Sequence, residues 1–158
     1  MGLRNVREIG DDILRKTAKP VTEVTEKTLK LIEDMYETMY ETDGVGLAAP
    51  QVGILKRIFV VDVPDAEGNF HKYTMINPEI LESEGEQTGF EGCLSIPGKH
   101  GTVTRPYKVK VRAQNEKLEW FTLEAEGLLA RAILHENDHL DGILYVDKVE
   151  GELLDNEE

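Results

Sequence analysis

His135-Glu136-Asn137-Asp138-His139 is the segment of this sequence most directly suited to chemistry. On a helix the two histidines fall within about 40° of each other, so both imidazoles can reach one metal ion. Glu136 lies between that face and an apolar stripe of Leu129, Ile133 and Leu140. A carboxylate in that position can touch a metal-coordinated water without being a ligand itself. The same spacing also occurs on solvated helix faces whose histidines are neighbours by chance, so this motif alone does not give a function.

A third donor is available in Glu91-Gly92-Cys93-Leu94-Ser95, which holds the chain's single cysteine. Two His and one Cys make a three-ligand set that leaves a fourth tetrahedral position for water, as catalytic metal sites require. One cysteine allows neither a Cys-x-x-Cys redox pair nor a closed multi-cysteine structural site. Read without its neighbours, Cys93 is an ordinary small buried residue. Gly44-Val45-Gly46-Leu47-Ala48-Ala49-Pro50-Gln51 ends in a side-chain amide that can donate a hydrogen bond. By itself it reads as a tight turn of small residues.

These groups need elements to hold them. Leu29, Ile32, Met35, Tyr36 and Met39 recur at three-to-four spacing and predict a helix over Glu26 to Thr42, with Thr25 as its N-cap. Asp43-Gly44-Val45-Gly46 ends it as a loop. Strands are predicted over Ile54 to Val63, Tyr73 to Leu81, Val103 to Ala113 and Leu118 to Ala125. In the third of these, Val109, Val111 and Ala113 alternate with Lys108, Lys110 and Arg112, the pattern of a sheet with one wet face. Gln114-Asn115-Glu116-Lys117 then closes a hairpin. A second helix follows Gly127, runs to about Leu140 and is stopped by Gly142. This order predicts an α+β fold: mixed or antiparallel strands packed around a C-terminal metal-binding helix, with an N-terminal helix.

At 158 residues the chain has room for one core. Residues 1–148 read as a single catalytic domain and 149–158 as a short acidic tail. Acids outnumber bases 31 to 18, for a net charge of -13, which repels phosphate backbones and anionic membranes. Neither stable nucleic-acid binding nor a membrane partner is expected. The N-terminus has no signal-peptide core, and no segment approaches the length of a membrane span. A soluble cytoplasmic protein is expected.

Together, GVGLAAPQ, EGCLS and HENDH resemble the three signature segments of the peptide deformylase family in order and spacing. The stretch Arg7-Glu8-Ile9 through Leu14-Arg15-Lys16 to Pro20-Val21 is similar to the family's start, and the resemblance extends from about Arg4 to Lys148. It implies a hydrolase that removes the N-formyl group from the first methionine of newly made polypeptides and releases formate. It implies Cys93, His135 and His139 as metal ligands and Glu136 as general base and acid. The Gln51 amide and the Leu94 backbone N–H would meet the developing oxyanion. Val45, Gly46 and Gly92 would lie along the peptide, and Leu128 and Ala132 would line the methionine pocket. Ferrous iron is the metal implied, with Zn2+, Ni2+ or Co2+ able to take the site, and a thiolate beside iron implies oxygen sensitivity.

Some finer expectations accompany the resemblance. Arg131 stands where some members carry an apolar residue; its stem is expected to pack while its charge reaches Asp138 or solvent. Glu91 and Asp138 either orient the histidines or pair with Arg105, or form ordinary surface ion pairs. His71 and His100 are expected to be exposed and uninvolved. Some deformylases dock on the ribosome through a basic C-terminal helix, whereas the acidic Glu150 to Glu158 would be repelled by ribosomal RNA. Nascent formyl-Met chains are therefore the expected partners of a bacterial monomer, without ribosome docking through this end. A zincin-like metallopeptidase shares the two-His, one-Glu helix but leaves EGCLS and GVGLAAPQ without a role. A non-catalytic metal-binding or redox-sensing module leaves Glu136 and Gln51 without one.

Overall fold

The computed structural model describes residues 3–64 and 67–156. Met1, Gly2 and the last two acids of the predicted tail, Glu157 and Glu158, lie outside the described residues. In chain order the regular elements are α1 (Glu26–Glu41), β1 (Gly46–Ala48), β2 (Ile58–Pro64), β3 (Phe70–Glu84), β4 (Gln87–Cys93), β5 (Ile96–Arg105), β6 (Lys108–Gln114), β7 (Trp120–Glu126), α2 (Gly127–Leu140) and β8 (Glu150–Asp155).

Two antiparallel sheets organise the chain: a five-stranded one in the order β1-β2-β3-β6-β7 and a three-stranded one in the order β4-β5-β8. The larger sheet is covered on both faces. Alternate residues of β2 divide between them, Phe59, Val61 and Val63 packing toward α2 while Ile58 and Val60 pack toward α1. A strand buried on both faces reads as a continuous apolar run, which is why Ile58-Phe59-Val60-Val61 lacks alternation. Leu31, Ile32, Met35 and Met39 bury the inner stripe of α1, and its first turn is capped by Thr25, whose side chain accepts from the Thr28 N–H. A third cluster, Leu14, Ile96, Val103, Leu144 and Tyr145, lies under the smaller sheet.

The α+β architecture is as expected, with several differences in the elements. The predicted third strand is two strands. Pro106, which lacks an N–H, follows the end of β5 at Arg105, and β6 begins at Lys108 in the other sheet. β1 falls in a segment read as a loop and turn, β4 in a segment given no element, and the acidic C-terminal segment carries β8, paired with β5. The hairpin forms as expected: the Asn115 side chain accepts from the N–H groups of Lys117 (2.9 Å) and Glu119 (3.1 Å).

α2 lies across β1 and β2, with lesser contact to β6 and β7, and buries Ala130, Ala132, Ile133 and Leu140. It stops at Asp141, after which Gly142 turns with φ of 75° against the backbone of Arg15. A side chain there would meet the Arg15 carbonyl oxygen at 2.5 Å, so only glycine fits.

Candidate active site

Two elements bring the predicted donors together. Cys93 ends β4, where the chain turns through Leu94 and Ser95 into β5, and His135 and His139 project from the buried side of α2. The Cys93 Sγ and one ring nitrogen of each histidine all lie within 4.8 Å of one another. His139 Nε2 is 3.4 Å from the sulfur. A thiol with two imidazoles suits a borderline divalent ion.

The surroundings fit a cation. Burial opposes charge on His135, but Cys93, Glu136 and Glu91 outweigh it and raise the imidazole to about 10. Burial, with His135 and Arg105 adding to it, holds His139 well below its ordinary value. Glu136 is pushed up to about 7, chiefly by burial, and its Oε1 is buried without a protein partner. The site thus pulls positive charge toward His135 and keeps a carboxyl 4.0 Å from its Nε2.

His135 is fixed from behind. Its Nδ1 lies 2.8 Å from Glu91 Oε1, and the Tyr145 ring stacks beside it with centroids 6.0 Å apart. Glu91 is the hub of a buried network. Arg105 donates to it twice, at 2.7 and 2.9 Å, and Arg131 once, at 2.7 Å. Arg105 also donates to Asp138 at 2.8 Å. Burial would raise the Glu91 carboxyl, but Arg105 and His135 hold it far below the usual carboxylate range. Of the alternatives posed for Glu91, both structural roles occur at once, whereas Asp138 pairs with Arg105 and Lys148.

Arg131 departs from expectation. Its guanidinium is buried, bonded to Glu91 and to the carbonyls of Val103 (3.1 Å) and Gln87 (3.3 Å), and does not reach out to Asp138 or solvent. Two cationic partners on one carboxylate satisfy Glu91's lone pairs in the interior, and that outweighs the pull of water on Arg131.

Gln51 sits in a 3-10 turn, Ala49–Val52, directly after β1. Its Oε1 accepts from the Ala48 N–H at 3.0 Å, and its Nε2 donates to Ser95 Oγ at 3.1 Å and toward Cys93 Sγ at 3.5 Å. The amide orientation is thus set by the buried Ser95, a residue that no motif singles out. Tyr145 was missed as well, since an aromatic six residues past His139 carries no pattern.

These groups open into a cleft of about 430 Å³ whose lining includes Val45, Gly46, Gln51, Gly92, Cys93, Leu94, Leu128, Ala132, His135 and Glu136. All the residues expected along the substrate are therefore in one place. Phe90, Pro97, Lys99 and Asn156 join them, unforeseen. Gly46 backs onto Glu136. His100 is half-buried rather than exposed; its ring meets Phe90 edge-on and its Nδ1 lies 2.7 Å from Asn156 Oδ1. His71 is also half-buried. Among the described residues, no helix is long and apolar enough to cross a membrane.

The profile of the polypeptide deformylase family matches residues 3–153 of the chain. The peptide deformylase of Lachnoclostridium phytofermentans is 60% identical over 153 residues, covering 97% of this chain and 93% of that protein. The peptide deformylase of Agathobacter rectalis is 62% identical over 155 residues, covering 98% and 95% respectively. Among solved structures, the peptide deformylase of Thermotoga maritima superposes with a TM-score of 0.88 at 47% identity, covering 94% of this chain and 99% of that one.

Proposed function

The chain belongs to the polypeptide deformylase family, and on that premise we propose that it hydrolyses the N-formyl group of formyl-methionyl polypeptides at the Cys93, His135 and His139 centre. The observation that carries this reading is the convergence of that donor set with Glu136 and Gln51 on one cleft. Its third donor is a thiol from a strand end, not the carboxylate or third histidine of a zincin-like peptidase.

Cys93, His135 and His139 would hold a divalent ion, which when bound would supply a Lewis acid for the formyl carbonyl and lower the pKa of water toward neutral. Ferrous iron is our assignment, and the same donors accept zinc, nickel or cobalt. Glu136 is the proton carrier. Its buried carboxyl, with Oε1 free of protein partners, takes a proton from the attacking water and returns it to the leaving amine. The Gln51 Nε2 hydrogen directed at the Cys93 side is the donor we assign to the developing oxyanion, together with the Leu94 N–H.

β1 and β4 are each an edge of their sheet, and Val45 and Gly92 stand beside them at the cleft. An extended peptide lying between these edges uses their unpaired backbone groups. The Val45 carbonyl is already held by the Asp62 N–H at 2.9 Å, so its pairing with the peptide rests on its own N–H. Leu128 and Ala132 receive the methionine side chain. We take the protein as a monomer of the bacterial cytoplasm acting on nascent chains, its catalytic domain extending past the expected boundary at 148 to take in β8. The acidic C-terminal segment does not favour contact with ribosomal RNA.

The test is formate release from formyl-Met-Ala beside the same peptide without the formyl group. Turnover of the first alone supports the proposal; cleavage of the unformylated peptide with the formylated one left intact would replace it with a peptidase.

A further inference from the structure

Opposite Gly92 the smaller sheet is irregular. Glu91 pairs with Gly101 and Cys93 with Ile96, so the four residues Pro97 to His100 bulge out of β5 against Gly92 alone. A side chain at Gly92 would press on the Lys99 carbonyl at 3.4 Å. Pro97, Gly98 and Lys99 of this bulge form one wall of the cleft. A bulge of that length has few ladder bonds of its own and needs support from elsewhere.

β8 supplies it. Lys99 pairs with Asp155 and His100 with Leu154 in the sheet register, and the Asn156 N–H donates to the Gly98 carbonyl at 3.0 Å. Side chains repeat the attachment: Lys99 forms an ion pair with Asp155, and His100 Nδ1 lies 2.7 Å from Asn156 Oδ1. Asn156 itself lines the cleft. The seating is specific, because Gly101 leaves the space that Val149 and Leu153 fill: a Cβ there would stand 2.7 Å from Val149 and 3.3 Å from Leu153.

We propose that the C-terminal strand braces the substrate cleft, and that Leu154, Asp155 and Asn156 are positioning residues whose hold on Gly98, Lys99 and His100 sets how tightly the formylated peptide binds. The acidic segment is then part of the substrate-binding wall. This rests on the deformylase reading of the cleft. The hydrogen bonds and ion pair of β8 fall on β5 and not on Cys93, His135, His139 or Glu136, so its effect falls on KM and not on the chemical step.

The experiment compares Asn156→Ala, which removes the His100 contact, with Asn156→Pro, which also removes the N–H donated to Gly98. Steady-state formate release from formyl-Met-Ala-Ser is measured alongside bound metal and amide hydrogen exchange of Gly98, Lys99 and His100. The expected result is a graded rise in KM, reaching about five- to tenfold in Asn156→Pro. kcat and metal content should hold, and exchange at the bulge should quicken. An unchanged KM in a proline variant with loosened amides overturns the brace, as does a loss of kcat and metal in step with KM. A wild-type enzyme that releases no formate strikes the deformylase reading itself and this proposal with it.

Discussion

Gly46 and Glu136 touch across the cleft: a Cβ on Gly46 would stand 2.6 Å from Glu136 Oε2 and 2.9 Å from its Cγ. No rotation of a methyl relieves such a contact, because the carboxylate is itself buried and hemmed in by α2 and β1. β1 can lie this close to α2 only with a glycine at that point. The residue expected to serve substrate backbone therefore also fixes where Glu136 stands. Gly46→Ala should displace Glu136 and lower kcat on the order of 100-fold, with overpacking costing about 1–3 kcal/mol of stability. Retained metal with lost turnover, measured on the same sample, is the expected signature; near-normal kcat would show that Glu136 has room to spare.

Glu91 ties both arginines to His135. Glu91→Ala leaves two buried guanidinium groups without their carboxylate, and breaking such a pair costs about 3–5 kcal/mol. It also frees the His135 ring, so metal affinity should fall by about 10- to 100-fold. Urea denaturation and competition with a metal-binding dye check the two effects separately. A variant as stable as wild type would mean the network is solvated and inconsequential.

Much of this arrangement was readable from residue types because it rests on local rules. The three-to-four spacing in α1 and α2, the Thr25 cap and the Val109-Val111-Ala113 alternation are properties of short windows. The metal set was legible for a different reason, since few chemistries need that trio of side chains. β4 was not: its exposed positions include Thr88 and Phe90, its buried one is Glu91, and no apolar period marks it. Its pairing is decided by β5, a partner that the smaller sheet supplies from later in the chain. Arg131 and Ser95 were misread or passed over for the same reason. Burial of an arginine depends on a carboxylate 40 residues away in sequence, and a serine's role depends on which amide it faces.

Arg15 joins the N-terminal 3-10 turn to the segment after α2 through Asp147, at 2.6 and 3.2 Å. The Arg15 hydrogen bond is the main cause that holds the Asp147 carboxyl below its ordinary 3.8, with the Leu144 N–H helping. A carboxyl lowered in the folded state adds stability above its unfolded value and loses it as pH falls through the folded one. Asp147→Asn should therefore lower the melting temperature at pH 7, by no more than about 1 kcal/mol equivalent for so exposed a pair. The gap from wild type should narrow as pH falls below 3.8 and through the lower folded-state value. A gap that persists at low pH would assign the loss to packing instead.

Metal removal should silence the enzyme reversibly. Dialysis against a strong chelator is expected to abolish formate release and expose Cys93 to alkylation, and restoring a divalent ion should reverse both. Alkylation that proceeds equally fast with metal present would remove Cys93 from the ligand set.

Glu136 is the group proposed to carry the proton. The most direct test is formate release from formyl-Met-Ala by metal-loaded wild type and Glu136→Gln, with bound metal quantified in each. Gln fills the same volume, keeps the Gly46 contact and cannot accept the proton. The expected result is full metal content and a loss of turnover on the order of 100-fold or more. A Glu136→Gln enzyme with full metal content and near-normal turnover would contradict it.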